Sequence, residues 1–403
     1  MTNEVIDREA AAERLLSRSV AEVIVRDDLK KKLLGPRPLR IKLGVDPTRP
    51  DIHLGHLVCF RKLREFQALG HKVVVIIGDW TARIGDPSGR SVQRQMMTAE
   101  EVEHNAQTYL DQFFKVVDTA QAEIFKQSTW FEDFSLTDVI SLTSKYTVAR
   151  MLEREDFAIR YSQGSPIAIT ELLYPLLQAY DSVAIKADVE IGGTDQTFNL
   201  LVGRDIQRDF GLEPQNILTL PILVGTDGVQ KMSKSLDNYI GVNESPNEMY
   251  GKLMSIPDSA IGDYFRLLTD VPLEEIDQML AAAAAGEVNP RDLKDRLAVQ
   301  IVTGLHDAGA AEEARNEFDR VFRQHALPDD IEEVDVARET PLISLLVETG
   351  LARSRNDARQ LINGGGVRLD GEKLIDPEAS VVLTEAAVLQ AGKRRWRRLI
   401  PRD

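Results

Sequence analysis

The chain has 403 residues, 43% of them hydrophobic, a net charge of −15 and one cysteine, Cys59. That length points to two or three domains at roughly 100–200 residues each, and the acidic balance excludes a protein that coats nucleic acid indiscriminately, since such binding rests on many neutralised phosphates. One thiol excludes an internal disulfide and a thiolate-rich zinc site, and no run nears the ~18 consecutive apolar residues of a membrane span, so a cytoplasmic protein with no structural metal and no membrane partner is expected.

The N-terminal stretch MTNEVIDREAAAERLL carries acids and lacks an apolar segment, so no signal peptide is expected. The first third then reads as an α/β layout: a strand over 41–45, a helix over 57–69 and a second strand over 73–77, with Gly70 as the helix C-cap and a right-handed parallel crossover. Residues 98–160 read as mostly helical, with 136–152 amphipathic, and 172–180 as a buried helix. Strand returns at 189–191, helix at 196–208 and strand at 217–224. After the loop 225–235 the pattern is one of short helices, such as 273–285 and 291–303. The fold expected is thus a Rossmann-like parallel-sheet α/β domain over 1–236 followed by an all-helical domain over 237–326. An acidic linker over 327–340 leads to a small α+β domain over 341–403. In that last part a helix over 341–350 precedes a second helix capped by Ser354 and Asp357. Asp370-Gly371 then sits between two short strands, which suits a type I′ hairpin turn.

Charge is uneven along the chain. Residues 351–403 hold 11 Lys/Arg against 7 Asp/Glu, net +4, which leaves −19 on the remainder. Arg353, Arg355, Arg359 and Arg368 fall around the helix and hairpin, and Lys393, Arg394, Arg395, Arg397 and Arg398 surround Trp396. A surface of cations beside an aromatic favours phosphate binding, with a merely solubilising tail as the alternative.

Two short motifs carry phosphate chemistry. His53-Leu54-Gly55-His56 lies between the first strand and its helix, where backbone N–H groups and the helix dipole favour a polyanion. Both imidazoles can donate to phosphate oxygens there, and neither needs to act as a base. Lys231-Met232-Ser233-Lys234-Ser235 follows Asp227-Gly228 in a loop, and its two lysines can bind a leaving pyrophosphate as charge develops. Either motif alone is also consistent with an ordinary helix cap or a solvated basic loop. A third feature is Tyr174, Gln178 and Asp181, which at i, i+4 and i+7 share one helix face, with Pro175 either starting or kinking the helix.

The ordered pair of phosphate motifs resembles the two ATP motifs of class I aminoacyl-tRNA synthetases. The polar helix face with Gly192-Gly193-Thr194-Asp195-Gln196 downstream resembles the amino-acid segment of the bacterial tyrosyl-tRNA synthetases, and the tail resembles their S4-type RNA-binding module. The resemblance implies that Asp181 accepts the substrate phenol, and that Tyr174, Gln178 and Asp86 hold its ammonium group. Thr81, Gln127, Gln196 and Lys42 line the same tyrosine site. It further implies that Gly44, Asp46, Thr48, Gly55, Gly193, Asp195, Met232, Ser233 and Lys234 meet ATP, with Asp195 on the ribose. His53, His56, Lys231, Lys234, Arg90 and Arg94 would stabilise the charge that develops on the phosphates. Its substrates are then L-tyrosine, ATP with Mg2+ and tRNA(Tyr), in a homodimer. The sequence departs from the family where some relatives carry a tyrosine at Lys42 and a glutamine at Glu190; Lys42 is free to pair with Asp181 or with another acid. A tryptophanyl-tRNA synthetase, a simple nucleotidylyltransferase and a non-catalytic RNA-binding descendant share parts of this pattern.

Overall fold

The structure, a computed structural model, describes residues 7–48, 52–86, 97–323, 331–392 and 395–402. The chain divides into two compact units, Met1–Arg315 and Asn316–Asp403.

The first unit is built on six strands, β1 (Glu22–Ile24), β2 (Arg40–Val45), β3 (Lys72–Ile77), β4 (Ala122–Lys126), β5 (Val189–Gly193) and β6 (Asn216–Leu220). Their spatial order is β1-β6-β5-β2-β3-β4, parallel throughout except that β1 runs antiparallel to β6. Val73–Ile77 is buried along its whole length, as a parallel strand covered on both faces must be. The crossover helix Leu54–Ala68 joins β2 to β3, and Gly70, at φ +85°, supplies the left-handed residue that ends it. The chain steps outward from β2 through β3 to β4, then returns to β5 and β6 on the other side of β2. This reversal opens a crevice at the carboxyl ends of β2 and β5, where an open α/β sheet binds its ligands.

Two strands depart from expectation. β1 spans three residues, too few for a readable alternation, and β4 lies in a stretch expected to be helical. Its residues Ala122–Lys126 are half-buried or exposed at the sheet edge, so they carry no apolar run. The helix Ile169–Ala184 is longer than expected and contains Pro175 in its interior rather than at its start. It packs against the helix Thr197–Asp209 through Leu176, Ala179, Val202 and Ile206. Beyond β6 come the helices Pro246–Leu253, Ile261–Leu268, Leu273–Ala284 and Pro290–Leu305, then Ala308–Arg323, which crosses into the second unit.

The second unit holds β7 (Glu333–Ala337), β8 (Glu339–Pro341), β9 (Val367–Leu369), β10 (Glu372–Lys373), β11 (Ser380–Val382), β12 (Ala387–Ala391) and β13 (Arg395–Arg402). Five form a sheet in the order β10-β9-β12-β13-β7, and β8 pairs with β11. The helices Leu342–Glu348 and Arg355–Asn363 share a core of Leu345, Leu346, Ile362, Leu389 and Leu399 with these strands. Residues 333–340, expected as linker, are therefore part of the fold: acidic β7 runs parallel to basic β13. Asp370 and Gly371 both take positive φ, 48° and 87°, as the hairpin turn requires. Among the described residues no helix is long and apolar enough to cross a membrane.

Candidate active site

β2 ends at Val45, and Asp46 follows at the mouth of the crevice. Tyr174, one turn into the Ile169–Ala184 helix, donates its hydroxyl proton to Asp46 Oδ2 at 2.9 Å. Thr81 Oγ1 lies 2.7 Å from Asp46 Oδ1 and 3.0 Å from Gln127 Oε1. Gln127 in turn donates from Nε2 to Asp181 Oδ2 at 2.8 Å, and Trp130 Nε1 donates to Asp181 Oδ1 at 3.2 Å. Residues from the segments just after β2, β3 and β4 and from one long helix thus close a polar ring. Nothing in the local sequence marked Trp130, which stands 51 positions from the carboxylate it contacts. Burial pushes the Asp181 carboxyl up to about 7, against the pull of Lys42 and of the Gln127 bond.

Asp181, Gln178 and Tyr174 line one cavity together with Thr81, Asp86, Gln127, Gly44, Asp46, His56, Gly193, Asp195, Gln196 and Lys231. His53, Thr48, Lys234, Met232 and Lys42 are not among its lining residues. Arg90 and Arg94 lie outside the described residues, as do Lys393 and Arg394 of the tail.

His53 caps the Leu54–Ala68 helix, which begins three residues earlier than expected. Its Nδ1 accepts from Gly55 N–H at 3.2 Å, and its own N–H donates to His56 Nδ1 at 3.3 Å. His53 so spends Nδ1 as an acceptor and keeps its proton on Nε2, whereas His56 Nδ1 also lies 3.3 Å from His53 O and acts as acceptor or donor according to its tautomer. Burial, then the neighbouring imidazole and lysine charges, lowers His53 to about 2; burial lowers His56 to about 4. They are neutral donors at neutral pH. A side chain at Gly55 would meet the His53 ring at 3.0 Å, so glycine is what lets the ring fold back on the cap.

In the loop after β6, Met232 is buried and its N–H bonds to Leu223 O at 2.9 Å, anchoring the segment. Asn238 accepts from Ser233 N–H and donates to Asp227 at 2.6 Å. Lys231 forms an ion pair with Asp195, and Lys234 Nζ stands 5.7 Å from the centre of the Tyr239 ring. A Cβ at Gly193 would fall 2.6 Å from Asp195 Oδ1, which explains a glycine at the end of β5.

The resemblance puts Lys42 at the tyrosine site, with its pairing open between Asp181 and another acid. It is fully buried, and its Nζ donates to Gln178 O at 2.7 Å and to Ser182 Oγ at 2.8 Å and pairs with Glu190 at 2.9 Å. Its partner is that second acid and not Asp181. Asp86 accepts from Gln196 Nε2 at 2.8 Å; Gln196 Oε1 accepts from Asn199, whose Oδ1 accepts from Arg154.

On the second unit Arg353, Arg355, Arg359, Arg368, Arg395 and Arg398 are exposed. Arg397 is not: its guanidinium donates to Thr349 O at 3.1 Å and pairs with Glu332 at 3.1 Å, tying its own unit together. Among the described residues no group of three His, Cys, Asp or Glu side chains is placed to hold a metal ion.

The family of class I tRNA synthetases for tryptophan and tyrosine matches residues 35–323, and a tyrosine–tRNA ligase C-terminal domain family matches residues 323–397. The tyrosine–tRNA ligase of Dehalococcoides mccartyi strain CBDB1 is 54% identical over 390 residues, covering 96% of this chain and 98% of that one. That of Moorella thermoacetica is 52% identical over 400 residues, with 98% and 97% covered. Among solved structures, tyrosyl-tRNA synthetase of Archaeoglobus fulgidus complexed with L-tyrosine superposes with a TM-score of 0.61 at 23% identity, covering 76% of this chain and 99% of that one.

Proposed function

The chain belongs to the class I tyrosyl-tRNA synthetase family, and from that premise we propose that the cavity between β2 and β5 is where it joins L-tyrosine to ATP. The reaction of the family makes tyrosyl-adenylate and pyrophosphate, then transfers tyrosine to the 3′ end of tRNA(Tyr). One observation carries the assignment of the site: a single cavity runs from Asp181, Gln178 and Tyr174 to His56, Gly193, Asp195 and Lys231.

In this reading the tyrosine phenol reaches Asp181, and its ammonium group lies against Tyr174, Gln178 and Asp86. The substrate carboxylate attacks the α-phosphorus of ATP in line; a C–O–P bond forms, the bond to the bridging oxygen breaks, and pyrophosphate carries away the electron pair. His53 donates from Nε2, and His56 from its ring N–H, to phosphate oxygens. Lys231 and Lys234, with Arg90 and Arg94, offset the negative charge that grows on the leaving group. Asp195 takes the ribose hydroxyls, which requires ATP to replace its ion pair with Lys231. Gly44, Asp46, Thr48, Gly55, Gly193, Met232 and Ser233 shape the remaining ATP contacts. Mg2+ enters on the ATP phosphates.

The same proposal includes a homodimer working in the cytoplasm. Leu136, Ile140, Val148, Ile159, Tyr161 and Ile169 are exposed on helices that follow one another in the chain, an apolar set that a second copy would cover. The tail arginines would take tRNA phosphates, with 237–326 as the neighbouring helical part. Pyrophosphate exchange measured with each amino acid in turn tests the reading: exchange should depend on tyrosine, and equal exchange with phenylalanine would overturn it.

A further inference from the structure

We propose that Lys42 and Glu190, which do not line the cavity, are a buried positioning pair that fixes which end of the Gln178 carboxamide meets the substrate. The inference rests on the reading of Gln178 as an ammonium ligand. Lys42 on β2 and Glu190 on β5 are register partners across the crevice, 0% and 1% exposed. Two charges buried at that depth are costly unless every donor and acceptor is matched. Here they are matched. Lys42 Nζ has three acceptors, Gln178 O, Ser182 Oγ and Glu190 Oε1, one for each of its protons. Glu190 Oε2 accepts from Ser182 Oγ at 3.2 Å and from Gln215 Nε2, while Oε1 also accepts from Gln178 Nε2 at 3.3 Å.

The consequence follows from valence. An ionised carboxylate is an acceptor only, so the NH2 end of Gln178 must turn toward Glu190. Its carbonyl end, Oε1, is then the end left over, and among the described residues this buried atom has no hydrogen-bond partner. An unmade acceptor of that kind is costly, and a substrate ammonium in the cavity is the donor that would satisfy it. A glutamine at position 190 could donate or accept and would leave either orientation of Gln178 open. Lys42 pairs with Glu190 and, through the Gln178 backbone carbonyl, holds the helix turn that carries the carboxamide.

The experiment compares two competitive inhibitors of tyrosine-dependent pyrophosphate exchange in the full-length enzyme: tyrosinol, which has the ammonium but no carboxylate, and 3-(4-hydroxyphenyl)propionate, which has the reverse. The neutral double variant Lys42→Met/Glu190→Gln avoids an unpaired buried charge, with Lys42→Gln/Glu190→Gln, also neutral, as the second variant should the first not fold. The expected result is that tyrosinol inhibition and the tyrosine KM weaken about ten-fold, whereas propionate inhibition and kcat shift by less than about two-fold. Equal weakening of both inhibitors, or of neither, overturns the inference. Gln178→Ala separates the two levels. If it does not weaken tyrosinol selectively, the reading of Gln178 fails and the inference falls with it. If it does and the pair variants do not, only the role of the pair is overturned.

Discussion

Asp181 and Gln127 are joined by a hydrogen bond of 2.8 Å from the glutamine Nε2 to a carboxylate that is buried at the closed end of the cavity. With burial raising its carboxyl to about 7, Asp181 is half-protonated near neutral pH, and only its ionised form accepts fully from a phenol. The preference for tyrosine over phenylalanine in kcat/KM is expected to rise about ten-fold per pH unit below that value and to level off above it. Asp181→Asn should abolish the rise. The same shift acts on folding with a definite sign. The native state holds this proton between the ordinary carboxylate range and about 7 while the unfolded chain has lost it, so stability from this group falls as pH rises through that window. The melting temperature of Asp181→Asn relative to the unaltered protein should therefore increase from pH 4 to pH 7 and then stay flat. A constant difference across that range would remove the carboxyl from the account.

Lys231 and Asp195 face each other at the open end, where ATP would have to part them. Lys231→Met is expected to lower the kcat of pyrophosphate exchange roughly 10²–10³-fold while tyrosine binding at equilibrium stays within two-fold, since the lysine acts on charge formed in the transition state. Asp195→Asn should instead raise the KM for ATP about ten-fold. Stopped-flow adenylate formation resolves the two, and a kcat for Lys231→Met within about three-fold of the unaltered enzyme would dismiss the lysine from the chemistry.

Gly203 lies on the Thr197–Asp209 helix against the buried polar network. A Cβ there would come within 2.6 Å of Gln215 Nε2 and 3.1 Å of Glu190 Oε2. Gly203→Ala replaces a poor helix former by a good one, a gain of about 1 kcal/mol in an open helix. The crowding is expected to win, for a net loss of about 1–3 kcal/mol. Thermal unfolding checks the sign: a melting temperature above that of the unaltered protein would show that the network yields without strain.

Much of this was legible in the sequence, but unevenly. The β2–helix–β3 unit is local, and its signals are a continuous apolar strand, a polar cap and a terminal glycine. β7 was not legible. Glu333–Ala337 is acidic and mostly exposed, and what makes it a strand is pairing with basic β13, some 60 residues later. The site divides in the same way. Tyr174, Gln178 and Asp181 share one helix face by spacing alone, whereas the contacts that set their chemistry, Trp130 on Asp181 and Asp46 on Tyr174, depend on how distant segments meet. Lys42 shows the limit most clearly. A lysine within an apolar strand signals an unusual partner, but only the parallel register of β2 with β5 identifies that partner as Glu190.

The arginines of the second unit separate into two kinds, and that separation is testable. Arg355, Arg359 and Arg368 are exposed, and among the described residues the last two are held by an open pair to Glu378 at 3.3 Å and a turn contact to Gly371 O at 3.0 Å. Exposed pairs of that kind are worth little, so these side chains can exchange their partners for phosphates at small cost. Arg397, by contrast, is committed to Thr349 and Glu332. Reversing Arg355, Arg359 and Arg368 to glutamate is expected to leave tyrosyl-adenylate formation within about two-fold. The same change should cut kcat/KM for tRNA charging by about 100-fold or more and flatten its dependence on salt by roughly one unit of slope per lost contact. Arg397→Ala should lower the melting temperature of the unit first, with any effect on charging following from that loss. Charging that survives the triple reversal at every salt concentration would mean that the positive tail only offsets the acidity of the rest of the chain, and that tRNA is held elsewhere.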